Sequence, residues 1–255
     1  MRHDSSAPVR ARSARSSRAR LTTELVALAV VLTGCAAGAS TPGASAGAGP
    51  GSGSGSGPGD SAAAAQLVRD YLDALSSGDA TAAHALDEHL LADDAYADRD
   101  TTTLLTDEVL TQAADRIADV EVDEPDAAEI GSTTVRVGYE YTLEGAPYAG
   151  RLLVQRDDSG DWRLGEPLAG ALMVQAEAAD GTKRPTGFTV PGAEYAADAS
   201  AERPQLVTAY PAVYEVTAAL PAGLLATGAE ATQRVVLGEV DGVYANFPVS
   251  ALPGQ

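Results

Sequence analysis

From Ala36 to Gly59 the chain is almost entirely Gly, Ser, Ala and Pro, with Thr41 the one other residue. No side chain in this tract is large enough to build a core, so the composition predicts a flexible, unpacked segment. That confines any folded body to the residues after Gly59. Roughly 195 residues remain there, enough for one large or two small domains. As a random coil the tract would hold its ends about 25–30 Å apart, the reach of a tether.

The residues before the tract explain why a tether is needed. Residues 1–20 carry Arg2, Arg10, Arg12, Arg15, Arg18 and Arg20 against Asp4. An apolar run, Leu25 to Leu32, comes after them and ends at the small residues Thr33 and Gly34. A basic region, a short apolar core and a small-residue exit are the parts of a secretory signal peptide. The apolar run is too short to span a bilayer, which takes about 20 residues. Cys35 comes next and is the chain's single cysteine, so no intrachain disulfide can form.

Leu32-Thr33-Gly34-Cys35 resembles the lipobox of bacterial lipoproteins. The resemblance implies that residues 1–34 are a signal peptide, cut before Cys35. It also implies that the Cys35 sulfur carries a diacylglyceryl group and that acyl chains such as palmitate hold the protein on the outer side of the cell membrane. Residues 35–59 are then the lipidated cysteine and its tether.

Charge narrows the partners. The whole chain is −19, and the part after the basic leader is more acidic still, with Lys183 its one lysine. Such a surface does not suit nucleic acid, which needs clustered Lys and Arg. Nor does it suit lying flat on anionic lipid. Aromatic residues make up 5% of the chain, which predicts a core built mainly from Val, Leu and Ala.

Periodicity divides the remainder. Leu67, Val68, Tyr71, Leu72 and Leu75 fall on one helical face, with Asp60 or Ser61 as cap and Gly78 as terminator. Asp79 opens a second predicted helix with Ala83, Leu86 and Leu90 inward, and residues 106–118 allow a third. After Pro125 the period becomes two. Val135, Val137, Tyr139, Tyr141 and Leu143 alternate with polar residues, predicting a strand with one buried face. Residues 150–156 and 161–168 read as two more strands around the turn Asp157-Asp158-Ser159-Gly160-Asp161. Residues 179–187 read as a linker, and Val240-Asp241-Gly242-Val243 as a two-residue hairpin turn. Helices first and antiparallel strands after predict an α+β domain over 60–178, followed by a small β-rich domain over 186–255.

The segment from Ala64 to Leu86, with the later Val135–Leu143 and Asp161–Leu164 runs, resembles the nuclear-transport-factor-2-like (cystatin-like) fold. That resemblance implies a cone of helices packed on a curved antiparallel sheet. Some relatives of that fold are isomerases or dehydratases, using an Asp, His or Tyr in the cone cavity. Tyr71, Tyr139 and Tyr141 are the residues that could line such a cavity here.

Few residues form a chemical constellation. Gly43-Ala44-Ser45-Ala46-Gly47 satisfies the nucleophile-elbow pattern of hydrolases but sits inside the tether, without the strand and helix that chemistry needs. His84 and Glu88 are one helical turn apart, with Asp87 between and His89 next, yet no third metal ligand can be placed. Asp93, Asp94, Asp98 and Asp100 lack the glycine and terminal glutamate of a calcium loop. Glu121, Asp123, Glu124 and Asp126 read as a solvated face. Asp87, Glu88, Asp93 and Asp94 are expected to be hydrated and unpaired. No catalytic residue, metal or cofactor is therefore assigned. The sequence points to a non-enzymatic, surface-anchored binding or scaffolding lipoprotein of the cell envelope, bound to membrane through Cys35 and to an envelope or cell-wall partner. The alternatives are an accessory factor of cell-wall synthesis and an envelope enzyme using the cone cavity.

Overall fold

The structure, a computed structural model, describes residues 58–125, 133–197, 206–220, 222, 224–226, 231–238 and 242–251. The leader, Cys35, the pentapeptide at 43–47 and nearly all of the tether lie outside the described residues, as do Asp126 and the turn positions 239–241. The described residues all belong to one compact unit.

Helix α1 (Pro58–Ser77) starts at the last proline of the tether, where a fixed φ and a missing N–H are no cost. Val68, Tyr71, Leu72 and Leu75 are fully buried, as their spacing predicts. Gly78 stops the helix with φ +87°, a conformation that glycine adopts without strain. Asp79 caps α2 (Ala80–Leu91), its carboxylate accepting from the Ala82 N–H at 2.8 Å. The third predicted helix is much shorter than expected: α3 covers only Asp107–Thr111, capped by Thr106. Beyond it, Val120 and Val122 alternate with Asp119 and Glu121, and this period of two wins as a strand.

The expected fold class does not hold. Among the described residues 48% are strand and 22% helix, arranged in three sheets, so helices on one curved antiparallel sheet is not the architecture. One sheet is a meander of β3 (Ala118–Val122), β4 (Thr134–Leu143), β5 (Ala146–Arg156) and β6 (Trp162–Leu164). Val135, Val137, Tyr141 and Leu143 point into the core, as the alternation predicts. Glu144 and Gly145 join β4 to β5, both at positive φ, the geometry of a tight hairpin turn. The Asp157–Asp161 turn joins β5 to β6 as predicted, with Asp157 accepting from the N–H groups of Ser159 and Asp161.

The second sheet runs β10 (Ala193–Tyr195), β9 (Gly187–Val190), β12 (Ala212–Ala219) and β14 (Thr232–Leu237), with β2 (Asp115–Arg116) also on β12. The third has β7 (Gly170–Ala178) at its centre. Around β7 lie β11 (Leu206–Ala209) with β1 (Arg99–Asp100), β15 (Val243–Ala251) with β13 (Leu224–Ala226), and β8 (Lys183–Pro185). β7 therefore pairs with strands from the segment read as a second domain, antiparallel to β11 and parallel to β15. The segment read as a linker holds the β7–β8 turn and β8. Gly170 to Ala176 are all buried, which suits a strand covered on both faces.

The hairpin expected at 240–243 is not formed by its flanking strands. β14 pairs with β12, while β15 pairs with β7 and β13, so the two lie in different sheets. Gly242 lies close to β7 instead, where an added Cβ would come within 3.2 Å of the Ala171 carbonyl. The core follows the expectation: Val, Leu and Ala make up most of its buried side chains. Its largest fully buried side chains are Tyr71, Tyr141, Tyr210, Tyr214, Phe188 and Phe247, half of the chain's twelve aromatic residues.

Candidate functional site

Asp87 is the one buried acid among the described residues, at 0% exposure. The buried positions of α2 are Ala80, Ala83, Asp87 and Leu91, which follow helical spacing along one stripe. Leu86 and Leu90 are only half-buried. The phase of α2 is thus turned from the one predicted, and the expectation that Asp87 is hydrated and unpaired is overturned. The small side chains of Ala80 and Ala83 bring this stripe close to the core, and the carboxylate enters with it.

Two phenols meet that carboxylate. Tyr71 of α1 donates to Asp87 Oδ2 at 2.8 Å, and Tyr210, just after β11, donates to Oδ1 at 3.2 Å. The Tyr71 hydroxyl also accepts from the Leu168 N–H at 3.0 Å. Tyr71 and Tyr210 pack edge to face, ring centroids 6.5 Å apart. Behind them the Tyr214 hydroxyl donates to the Tyr210 carbonyl at 2.7 Å. His84, one turn before Asp87, places Nδ1 3.3 Å from Oδ1 without the alignment of a hydrogen bond, and its side chain is 35% exposed. The network reaches solvent through this imidazole.

Burial holds the Asp87 carboxyl above its usual value, against the hydroxyl hydrogen bonds of Tyr71 and Tyr210 and the nearby imidazole, which favour the charged form. Burial and the adjacent carboxylate raise both phenols, Tyr71 well above the ordinary tyrosine value. A protonated Asp87 can donate as well as accept, and an ionised one only accepts. The arrangement can therefore store a proton. It also ties α1, α2, the strand-linking residue Leu168 and the 206–219 segment to one carboxyl group.

The other predicted residues are dispersed. His89 places Nε2 3.1 Å from the Leu164 carbonyl, away from His84. Glu88, Asp93 and Asp94 are exposed, and Asp93 caps the short turn at 94–96 through the Ala95 N–H. Asp100 accepts from the N–H groups of Thr102 and Thr103, a local loop contact. Among the described residues no group of three His, Cys, Asp or Glu is placed to hold a metal ion. The three tyrosines expected to share a cavity are split. Tyr71 joins Asp87, whereas Tyr139 and Tyr141 stack with Tyr148 on β4 and β5, at 5.9 and 5.5 Å between successive centroids. Tyr141 donates to the Gly238 carbonyl, and the Tyr148 ring lies where a side chain at 238 would be.

The sequence gives little warning of this site. Tyr71 and Asp87 are 16 residues apart, and Tyr210 lies 123 beyond Asp87. The one local signal is the Ala80-Ala83-Asp87 spacing, on a helix whose leucines offer a second, competing face.

No family model and no curated protein matches the chain. Among solved structures it is similar to a streptococcal ancillary pilin, at 14% identity and a TM-score of 0.26. The match spans 46% of this chain and 46% of the pilin chain, and at that score it carries no argument about fold or function.

Proposed function

We propose that this protein is a lipid-anchored envelope lipoprotein whose β-rich body works by binding or scaffolding and not by catalysis. The carrying observation is the use made of Asp87: both oxygens of this buried carboxyl are engaged by the protein's own tyrosines. The group best suited to acid–base work is thereby occupied in holding elements together. The leader, Cys35 and the tether supply the anchoring part of the reading. Acyl groups on Cys35 would hold the protein where one chain alone is marginal.

The exposed side of β15 offers a place for a partner. Tyr244 there is 60% exposed, the one large hydrophobic side chain so exposed among the described residues. Aromatic anchors of this kind carry much of the energy of protein interfaces. Two variants test the proposal in intact cells. Cys35→Ser should move the protein from the membrane fraction to the soluble one and abolish labelling by a clickable palmitate analogue. Unchanged membrane retention, with no label on the wild type, would reject the anchor. Tyr244→Ala should weaken a specific crosslinked partner recovered from envelopes by about tenfold. Recovery of the same partner at the same yield would move the binding surface elsewhere.

A further inference from the structure

We propose that Asp87 is the centre of a proton-operated clasp, which tightens the α1–α2 pair against the sheets in acidic surroundings and slackens it at alkaline pH. Three geometric facts carry this. The carboxyl is fully buried, so its charged form is costly. Its hydrogen-bond donors come from two other parts of the chain, Tyr71 of α1 and Tyr210 after β11, with His84 one turn away on α2 itself. His84 reaches solvent and gives protons a route.

The surrounding groups set the direction. Tyr71 from α1 and Tyr210 after β11 donate to the carboxyl, and Tyr214 of β12 supports Tyr210 from behind. His84 is the charged or chargeable neighbour on α2 itself. Tyr96 feels the Asp87 charge, and Glu166 and Arg99 act on Tyr96 in turn, Arg99 from 4.7 Å above its ring. No cation makes an aligned hydrogen bond to the Asp87 carboxylate among the described residues, where its hydrogen-bond donors are the two phenols. When ionised it is a buried charge met by two phenols and the His84 imidazole at 3.3 Å, and protonation removes the cost of burying that charge. Val68, Leu72 and Leu75 keep α1 packed in both states, so the response is local opening and not release. The inference stands whether or not Cys35 is acylated.

Hydrogen exchange on the full chain at pH 3 and pH 8, corrected for intrinsic rates, tests it with β7 amides as the internal reference. Amides of α1 and α2 should lose about tenfold in protection at pH 8 relative to β7, the effect of a shift of one pKa unit. Asp87→Asn should flatten that difference to within about twofold. Tyr210→Phe should enlarge it, because a donor that favours the charged form is gone. A purely structural contact would instead lower protection equally at both pH values. The wild type gives a second reading should Asp87→Asn fail to fold: with ¹³C-labelled aspartate, one carboxyl should titrate above the rest and move further up in Tyr210→Phe. Equal protection at both pH values in the wild type, a full pH response in Asp87→Asn, or no high-titrating aspartate would each overturn the clasp.

Discussion

Two clusters of tyrosines hold distant parts of this protein together, and they do so by different means. On β4 and β5, Tyr139, Tyr141 and Tyr148 stack ring on ring, and the hydroxyl of Tyr141 caps one backbone carbonyl, that of Gly238. Beneath α1 and α2, Tyr71 and Tyr210 turn their hydroxyls onto a carboxyl group. The first cluster stabilises chiefly by removing aromatic surface from water. The second carries an ionisable group that burial penalises, so its contribution depends on protons. A buried tyrosine can thus be mainly a ring or mainly a hydroxyl, and its neighbours decide which.

The largest test removes a ring. Tyr141→Ala should cost about 4 kcal/mol in urea unfolding, the range for truncating a large buried aromatic, with little change between pH 5 and pH 8. A loss below about 1 kcal/mol would mean the stack is ornamental to the fold.

Next in size is Tyr71→Phe, which keeps the ring and removes the hydroxyl. The Leu168 N–H then lacks its acceptor and the Asp87 carboxyl loses the shorter of its two hydroxyl hydrogen bonds. About 3 kcal/mol is expected at pH 8, because each buried polar group left unpaired costs about 1–3 kcal/mol. The dependence on pH has a definite sign. A carboxyl whose folded pKa is raised contributes stability that is fully present below its unfolded value and is lost as pH rises through the folded one. Losing the Tyr71 donor raises that folded value further, so the penalty should grow from pH 5 to pH 8. A penalty independent of pH would show that the hydroxyl serves Leu168 alone.

The smallest effect completes the contrast. Tyr141→Phe should cost about 1 kcal/mol at either pH, since one backbone carbonyl loses one neutral hydrogen bond. A cost equal to that of Tyr71→Phe would erase the distinction between the clusters.

These clusters also mark where the sequence could be read and where it could not. The helical stripe from Leu67 to Leu75 and the alternation from Val135 to Leu143 are local patterns, and the structure buries them as read except at Leu67 and Tyr139, which are half-buried. The Asp79 cap and the Gly78 stop are equally local. The phase of α2 was not legible, because its leucines make an acid look exposed. Only hydroxyls 16 and 123 residues away make the other face tolerable to Asp87. The same holds for the sheets. Strand-like runs after residue 205 were evident, but nothing local says that β15 lies parallel to β7 and not back against β14. Pairing across that distance depends on side-chain fit over the whole core, which short-range patterns do not encode.

The parallel pairing of β7 with β15 has a consequence in time. β7 is central to its sheet, yet one of its two sides stays bare until residues 243–251 arrive. A growing or translocating chain therefore cannot complete this sheet from its amino-terminal part alone, and closing so long a loop makes folding slow. For a polymer threaded across a membrane, as proposed, that delay would keep this sheet open until residues 243–251 have emerged on the far side.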